Sequence, residues 1–123
     1  MNGDPLLLDT NIVLYYLNGE KSLFPVLEER QLYLSFITQL ELLSFHGITG
    51  TETEAINGFF NECTIIDITS RIKELTIELR KKYRLKLPDA IVAASAQYLN
   101  IPLITADKGI RRINEIDLIF FQV

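Results

Sequence analysis

Five short, almost continuously apolar runs alternate with segments of helical periodicity, and few folds accommodate that alternation. The runs are residues 6–8, 31–36, 64–68, 102–105 and 118–123. Strands that lack polar–apolar alternation are buried on both faces, the signature of a parallel sheet covered by helices. Between them, residues 10–17 carry Ile12, Val13, Tyr16 and Leu17, and residues 37–46 lead into the turn Gly47-Ile48-Thr49-Gly50. Residues 52–61 follow Thr51, which with Glu54 three positions on predicts a capping box. Residues 71–83 repeat Ile72, Leu75, Leu79 and Tyr83 at spacings of three and four. Residues 88–99 open on a proline suited to a first helical turn, and residues 108–113 form a short last helix. With 123 residues and no linker, repeat or low-complexity segment, the expectation is one three-layer α/β domain over residues 1–123.

Composition narrows the class. The apolar fraction of 48% and charged fraction of 23% are those of an ordinary globular protein, and no apolar run approaches membrane-spanning length. Met1-Asn2-Gly3-Asp4-Pro5 has no basic start or cleavage site of a signal peptide, so a cytoplasmic, membrane-free location is expected. A lone cysteine, Cys63, allows no internal disulfide and reads as a small buried apolar residue. The net charge of −4 argues against a nucleic-acid binder, but its distribution is uneven. Residues 71–112 hold ten Lys or Arg against four acids, a surplus of +6 that leaves −10 elsewhere. A basic surface around an acidic, metal-bearing centre suits a polyanion. Equally, Arg80, Lys81, Lys82 and Arg84 would complement the carboxyl end of a helix dipole.

Four acids border apolar runs: Asp9, Glu41, Asp89 and Asp107. Acids next to buried stretches cost free energy unless paired, hydrogen-bonded or bound to a metal. Asp9 ends the first run and Asp107 lies just past the fourth; each also suits an N-cap. Asp89, one residue beyond Pro88, also suits the dipole of a first turn. Glu41 shares the stripe Ile37, Glu41, Phe45 and is expected to face packed apolar surface. Ala90, Ala93, Ala94 and Ala96 leave their helix slim enough to bring Asp89 close to its neighbours. In open parallel sheets the crevice lies beyond the carboxyl ends of the strands, where strand order reverses. If the first and fourth strands are neighbours, Asp9 and Asp107 face each other there.

At these residues the chain resembles the PIN-domain family, in its small form the VapC-type toxin ribonucleases of bacterial toxin–antitoxin pairs. The resemblance rests on Leu7-Leu8-Asp9-Thr10-Asn11, Ile37-Thr38-Gln39-Leu40-Glu41-Leu42, Lys86-Leu87-Pro88-Asp89-Ala90-Ile91-Val92-Ala93-Ala94 and Leu103-Ile104-Thr105-Ala106-Asp107. It implies a parallel sheet of order 3-2-1-4-5, Mg²⁺- or Mn²⁺-dependent endoribonuclease activity, a homodimer and a cognate antitoxin. It carries over Asp9, Glu41, Asp89 and Asp107 as the acidic quartet, with Thr10, Asn11 and Thr105 in support. On that basis Asp9, Asp89 and Asp107 would contact metal, and Glu41 would orient or deprotonate the attacking water or complete the second shell. Arg80, Arg84, Lys86, Lys108 and Arg111 would hold flanking RNA phosphates. Many relatives carry another acid or histidine three residues past the last acid; Ile110 stands there, which leaves the metal count open.

Two other classes fit parts of the pattern. A receiver-like signalling domain would be phosphorylated on Asp67 at the end of the third run, although it wants an acid pair where only Asp9 stands. A noncatalytic PIN-fold RNA- or protein-binding domain would keep the fold without turnover. His46, the lone histidine, reads as a helix-end cap, and no Ser-His-Asp set, phosphate loop or zinc spacing is present. Phe59-Phe60 and Tyr15-Tyr16 suit either an antitoxin groove or the core.

Overall fold

The computed structural model describes residues 3–122. Five parallel strands, β1 (Pro5–Leu8), β2 (Gln31–Ser35), β3 (Thr64–Ile66), β4 (Leu103–Thr105) and β5 (Leu118–Phe120), form one sheet in the order β3-β2-β1-β4-β5. The resemblance implied this order, and the pairing bears it out. The chain steps from β1 through β2 to β3 on one side, then crosses to β4 on the other, so strand order reverses at β1. Four strands are shorter than their apolar runs: Phe36 already starts a helix, Ile68 lies beyond β3, Pro102 precedes β4, and Phe121 follows β5. Val123, the last residue of the fifth run, lies outside the described residues, as do Met1 and Asn2.

Among the described residues six α-helices cover the sheet: α1 (Thr10–Leu17), α2 (Phe24–Leu27), α3 (Phe36–Leu43), α4 (Gly50–Phe60), α5 (Ser70–Lys82) and α6 (Leu87–Leu99). Because strand side chains alternate, adjacent residues feed opposite layers. Leu7 and Leu103 pack with Ile72, Leu75 and Leu79 of α5 and the buried alanines of α6. Leu6, Leu8 and Ile104 pack with Ile12, Val13, Leu27, Ile56, Phe59 and Phe60 on the other face. The slim α6 was legible in its alanines: Ala90, Ala93 and Ala94 have no solvent exposure.

Three local expectations need correction, and one segment carried none: in residues 21–27, Lys21–Leu23 form a 3-10 turn leading into α2. The last helix is only a 3-10 turn, Lys108–Ile110. The capping box lies two residues earlier than expected: Thr49 accepts from the Glu52 backbone N–H, and Glu52 accepts from that of Thr49. With Thr49 at the N-cap, α4 starts at Gly50, which leaves Thr51 inside the helix. His46 does not cap α3, which ends at Leu43 with Ser44 at the cap; His46 is exposed in the following turn.

The aromatic pairs belong chiefly to the core. Phe59 and Phe60 are buried, and the Tyr16 ring lies 5.2 Å from Phe59 and 5.5 Å from Phe24. Cys63 is half-buried, and burial pushes its thiol up to about 12, as expected of an unreactive packing residue. No helix among the described residues is long and apolar enough to cross a membrane. The relocated cap yields a direct test. Thr49→Ala should lower stability by about 1 kcal/mol in denaturant unfolding, whereas Thr51→Ala should stay within about 0.5 kcal/mol of the parent.

Candidate active site

The carboxyl end of the sheet is where the acids meet. β1 pairs with β4 through Leu7 opposite Leu103 and Leu8 opposite Ile104. One further step in that register sets Asp9 beside Thr105, and the Asp9 backbone N–H still donates to the Ile104 carbonyl at 3.0 Å. The Thr105 hydroxyl donates to Asp9 Oδ2 at 2.7 Å, and the Thr10 backbone N–H donates to Asp9 Oδ1 at 2.9 Å. Thr105 Oγ1 also accepts from the Asp107 backbone N–H at 3.0 Å. One buried hydroxyl thus locks the first acid to the loop that carries the last.

Asp9, Glu41, Asp89 and Asp107 line a single recess of about 110 Å³ together with Thr10, Asn11, Pro88 and Val92. Each acid comes from a different element: Asp9 caps α1, Glu41 lies on α3, Asp89 sits in the first turn of α6, and Asp107 precedes the last 3-10 turn. The capping roles weighed for Asp9 and Asp107 are real. Asp107 Oδ1 accepts from the Gly109 N–H at 2.8 Å, and Asp9 holds the N-cap of α1. Both acids cap and also line the recess, so the two readings do not compete.

Glu41 corrects its own expectation. It is exposed, its neighbour Leu40 is 55% exposed, and Phe45 lies beyond the end of α3. The short α3 instead packs through Thr38 and Leu42, a stripe one residue further round, which leaves Glu41 on the rim. There it accepts a hydrogen bond from the Thr10 hydroxyl at 2.8 Å. Thr38, fully buried, completes this arrangement with its hydroxyl 2.9 Å from that of Thr10. Sequence reasoning quoted Thr38 in a motif but gave it no role. Its position three residues before Glu41, hence on the same helical face, was the available signal.

Crowded acids perturb one another. Asp9 is 5% exposed, and burial raises its pKa; Thr105 and the Thr10 N–H pull it back, while Asp107 and Glu41 add to the rise. Asp89 is pushed up to about 6, first by burial and then by repulsion from Asp107 and Asp9, with Lys86 opposing. Among the described residues no three His, Cys, Asp or Glu side chains are drawn in tightly enough to grip an ion between them. Mg²⁺ and Mn²⁺ favour hard oxygen donors, and Mg²⁺ commonly takes only one or two carboxylates and keeps several waters. A recess lined by oxygen donors, in which two carboxyls hold their protons too tightly, fits such a cation. Ile110, three residues past Asp107, is fully buried in the core.

The cations divide. Lys86 is the N-cap of α6 and acts on Asp89 directly. Lys108 is exposed beside Asp107, and the Arg111 guanidinium lies over the Phe120 ring at 4.5 Å. Arg80 and Arg84 do not line the acidic recess. They line a separate hollow of about 460 Å³ with Ile77, Lys81, Tyr83 and Leu87, and Arg80 Nε donates to the Leu85 carbonyl. Arg80, Lys81 and Lys82 also occupy the last turn of α5, as the dipole reading expected.

The receiver reading fails on topology. In the doubly wound order 2-1-3-4-5, the third strand adjoins the first. Here β2 intervenes and β3 is an edge strand, so exposed Asp67 stands two strands from Asp9 with Oδ1 bonded to the Ile68 N–H.

Asp89 sets a pH dependence. Its carboxyl keeps a proton to about pH 6 in the folded chain, against an ordinary value of 3.8. Between those values the folded state binds more protons than the unfolded one, so raising the pH weakens the fold. In chelator-treated protein the denaturant midpoint should fall from about pH 4 to about pH 6, and Asp89→Asn should flatten that fall.

A family model described as the PIN domain matches residues 6–116. Among solved structures, the chain is similar to one in VapBC2 from Rickettsia felis bound to a DNA fragment from its promoter. The TM-score is 0.86 at 23% identity, covering 96% of this chain and 99% of that one. A toxin–antitoxin complex from Klebsiella pneumoniae matches with TM-score 0.80 and 32% identity over 90% of this chain and 94% of the other. VapBC-1 from nontypeable Haemophilus influenzae gives 0.79 at 22% identity, covering 94% and 97%. A comparison with curated protein sequences found no match. With the family model spanning most of its length and the acids gathered at the switch point of a 3-2-1-4-5 sheet, this chain belongs to the PIN-domain family.

Proposed function

We propose that this chain is a metal-dependent endoribonuclease acting as the toxin of a toxin–antitoxin pair. The observation that carries the reading is the convergence of Asp9, Glu41, Asp89 and Asp107 on one recess at the carboxyl end of the sheet. Asp9, Asp89 and Asp107 would hold Mg²⁺ or Mn²⁺, directly or through water. A bound ion of this kind supplies polarisation of the phosphoryl oxygen and an activated water for in-line attack on the phosphodiester. Thr105 and the Thr10 N–H fix both oxygens of Asp9, which holds that carboxylate in one rotamer. Glu41, on the rim with Oε1 accepting from the Thr10 hydroxyl, would orient the attacking water or take its proton. Lys86, Lys108 and Arg111 would hold phosphates on either side of the cut, with Arg80 and Arg84 in the separate hollow taking a more distant stretch of RNA.

The likeness to VapBC and toxin–antitoxin complexes supports a protein antitoxin as partner. Exposed Leu40, Ile77 and Leu87 are apolar surface that a homodimer or an antitoxin would cover. The reading also takes residues 1–123 as one functional domain.

Two measurements test the proposal. Mn²⁺ or Mg²⁺ at millimolar concentration should raise the melting temperature, because an ion bound only by the folded state stabilises it by mass action. Asp89→Asn should shrink that rise; equal melting curves with and without either ion would remove the metal. In the second, purified protein is incubated with total cellular RNA and the cut ends are mapped by sequencing. Metal-dependent cuts are expected from the wild type and not from Asp9→Asn or Asp89→Asn protein. Cuts shared by both variants would trace to a contaminant, and no cuts from any protein would favour the noncatalytic PIN-fold alternative.

A further inference from the structure

The strongest unassigned feature is a file of hydroxyls behind Glu41. Thr38 has no solvent exposure, lies on the inner face of α3, and sets its hydroxyl 2.9 Å from that of Thr10. Thr10 in turn reaches Glu41 Oε1 at 2.8 Å. A hydroxyl owns one proton. A carboxylate can only accept, so the Thr10 proton is committed to Glu41, and Thr10 Oγ1 must accept from Thr38. The direction of the file is therefore fixed: Thr38 donates to Thr10, which donates to Glu41. Hydrogen bonds in such a chain polarise one another, so the inner donor strengthens the outer bond.

Glu41 needs this support more than Asp9 and Asp107 do. Asp9 has two fixed donors, and Asp107 caps a turn. Glu41 is an exposed, three-torsion side chain at the rim of the recess, and Thr10 is its anchor there. Left alone, Thr10 could rotate its hydroxyl towards Asp9 or solvent. Thr38, immobile within the core, removes that freedom by occupying the acceptor lobe of Thr10. The same residue joins α3 to α1, so it also holds the spacing between the elements that carry Glu41 and Asp9.

We infer that Thr38 is a positioning residue for the proposed cleavage: its buried hydroxyl orients Thr10, and through Thr10 aims the Glu41 carboxylate into the recess. The inference rests on the nuclease reading above. It assigns Thr38 no contact with RNA or metal.

The test measures kcat and KM on the RNA cut fastest in the total pool, with melting temperature recorded for every variant. Thr38→Val keeps the shape and removes the donor. It should lower kcat about tenfold to a hundredfold, the usual loss when the hydrogen-bond partner of a site residue is removed, with KM within about twofold. Thr38→Ser restores a hydroxyl and should recover most of kcat. Because Thr38 acts only through Thr10, Thr38→Val added to Thr10→Val should cost little more than Thr10→Val alone. A purely structural threonine would instead lower the melting temperature and leave kcat of the folded fraction unchanged. Wild-type kcat in Thr38→Val, no recovery with serine, or additive losses in the double variant would overturn the inference. Asp89→Asn and Glu41→Gln are run alongside. If both lose cleavage while Thr38→Val keeps it, the positioning role alone falls; if both cleave as the wild type does, the nuclease reading falls and takes this role with it.

Discussion

The hydrogen bond from Thr105 to Asp9 holds the organisation of this molecule together. Asp9 is nearly out of solvent, at the junction of β1, β4 and α1. An ionised carboxylate buried without partners costs several kcal/mol. Thr105 and the Thr10 N–H meet one oxygen each, and the second lone pair of Thr105 takes the Asp107 N–H. A parallel β1–β4 register is the only route to this contact, since it brings residues 96 positions apart side by side. Strand order, loop course and the placement of two acids are thus coupled through one buried hydroxyl.

Around that anchor the chain separates its charges. Acids gather in the concave end of the sheet, where burial and mutual repulsion push the Asp89 carboxyl up to about 6. Cations stand outside, on Lys86, Lys108, Arg111 and the end of α5. A fold selected for stability alone would disperse such acids, because each added carboxylate raises the cost of ionising the others. Their concentration is the observation on which the proposed metal-dependent cleavage rests.

Legibility in the sequence followed the physics of each feature. The strands were readable because both faces of a parallel sheet demand apolar residues, and the slim packing of α6 was readable from its alanines. Asp9, Asp89 and Asp107 were readable because an acid at the border of an apolar run is costly and so conspicuous. Glu41 was found for the wrong reason: its helix rotates Thr38 and Leu42 inward and leaves the glutamate on the rim. Thr38 went unassigned because a buried threonine in a helix is chemically unremarkable until its partner 28 residues away is known. The capping box slipped by two residues because Thr49 and Thr51 each precede a glutamate by three, and only the true start of the helix at Gly50 chooses between them.

The amino-acid sequence by itself determined the alternation of buried strands and amphipathic helices, the acids at strand ends and the basic bias of residues 71–112. These are local properties, set by periodicity, solvation cost and charge along the chain. Strand order came with the family resemblance, and its realisation belongs to the tertiary structure. So do the gathering of Arg80 and Arg84 in a hollow apart from the acidic recess, the exclusion of Asp67 to a sheet edge and the hydroxyl file from Thr38 to Glu41. Those features depend on which distant elements become neighbours, and sheet pairing is decided by the packing of the whole core rather than by any segment's own preference.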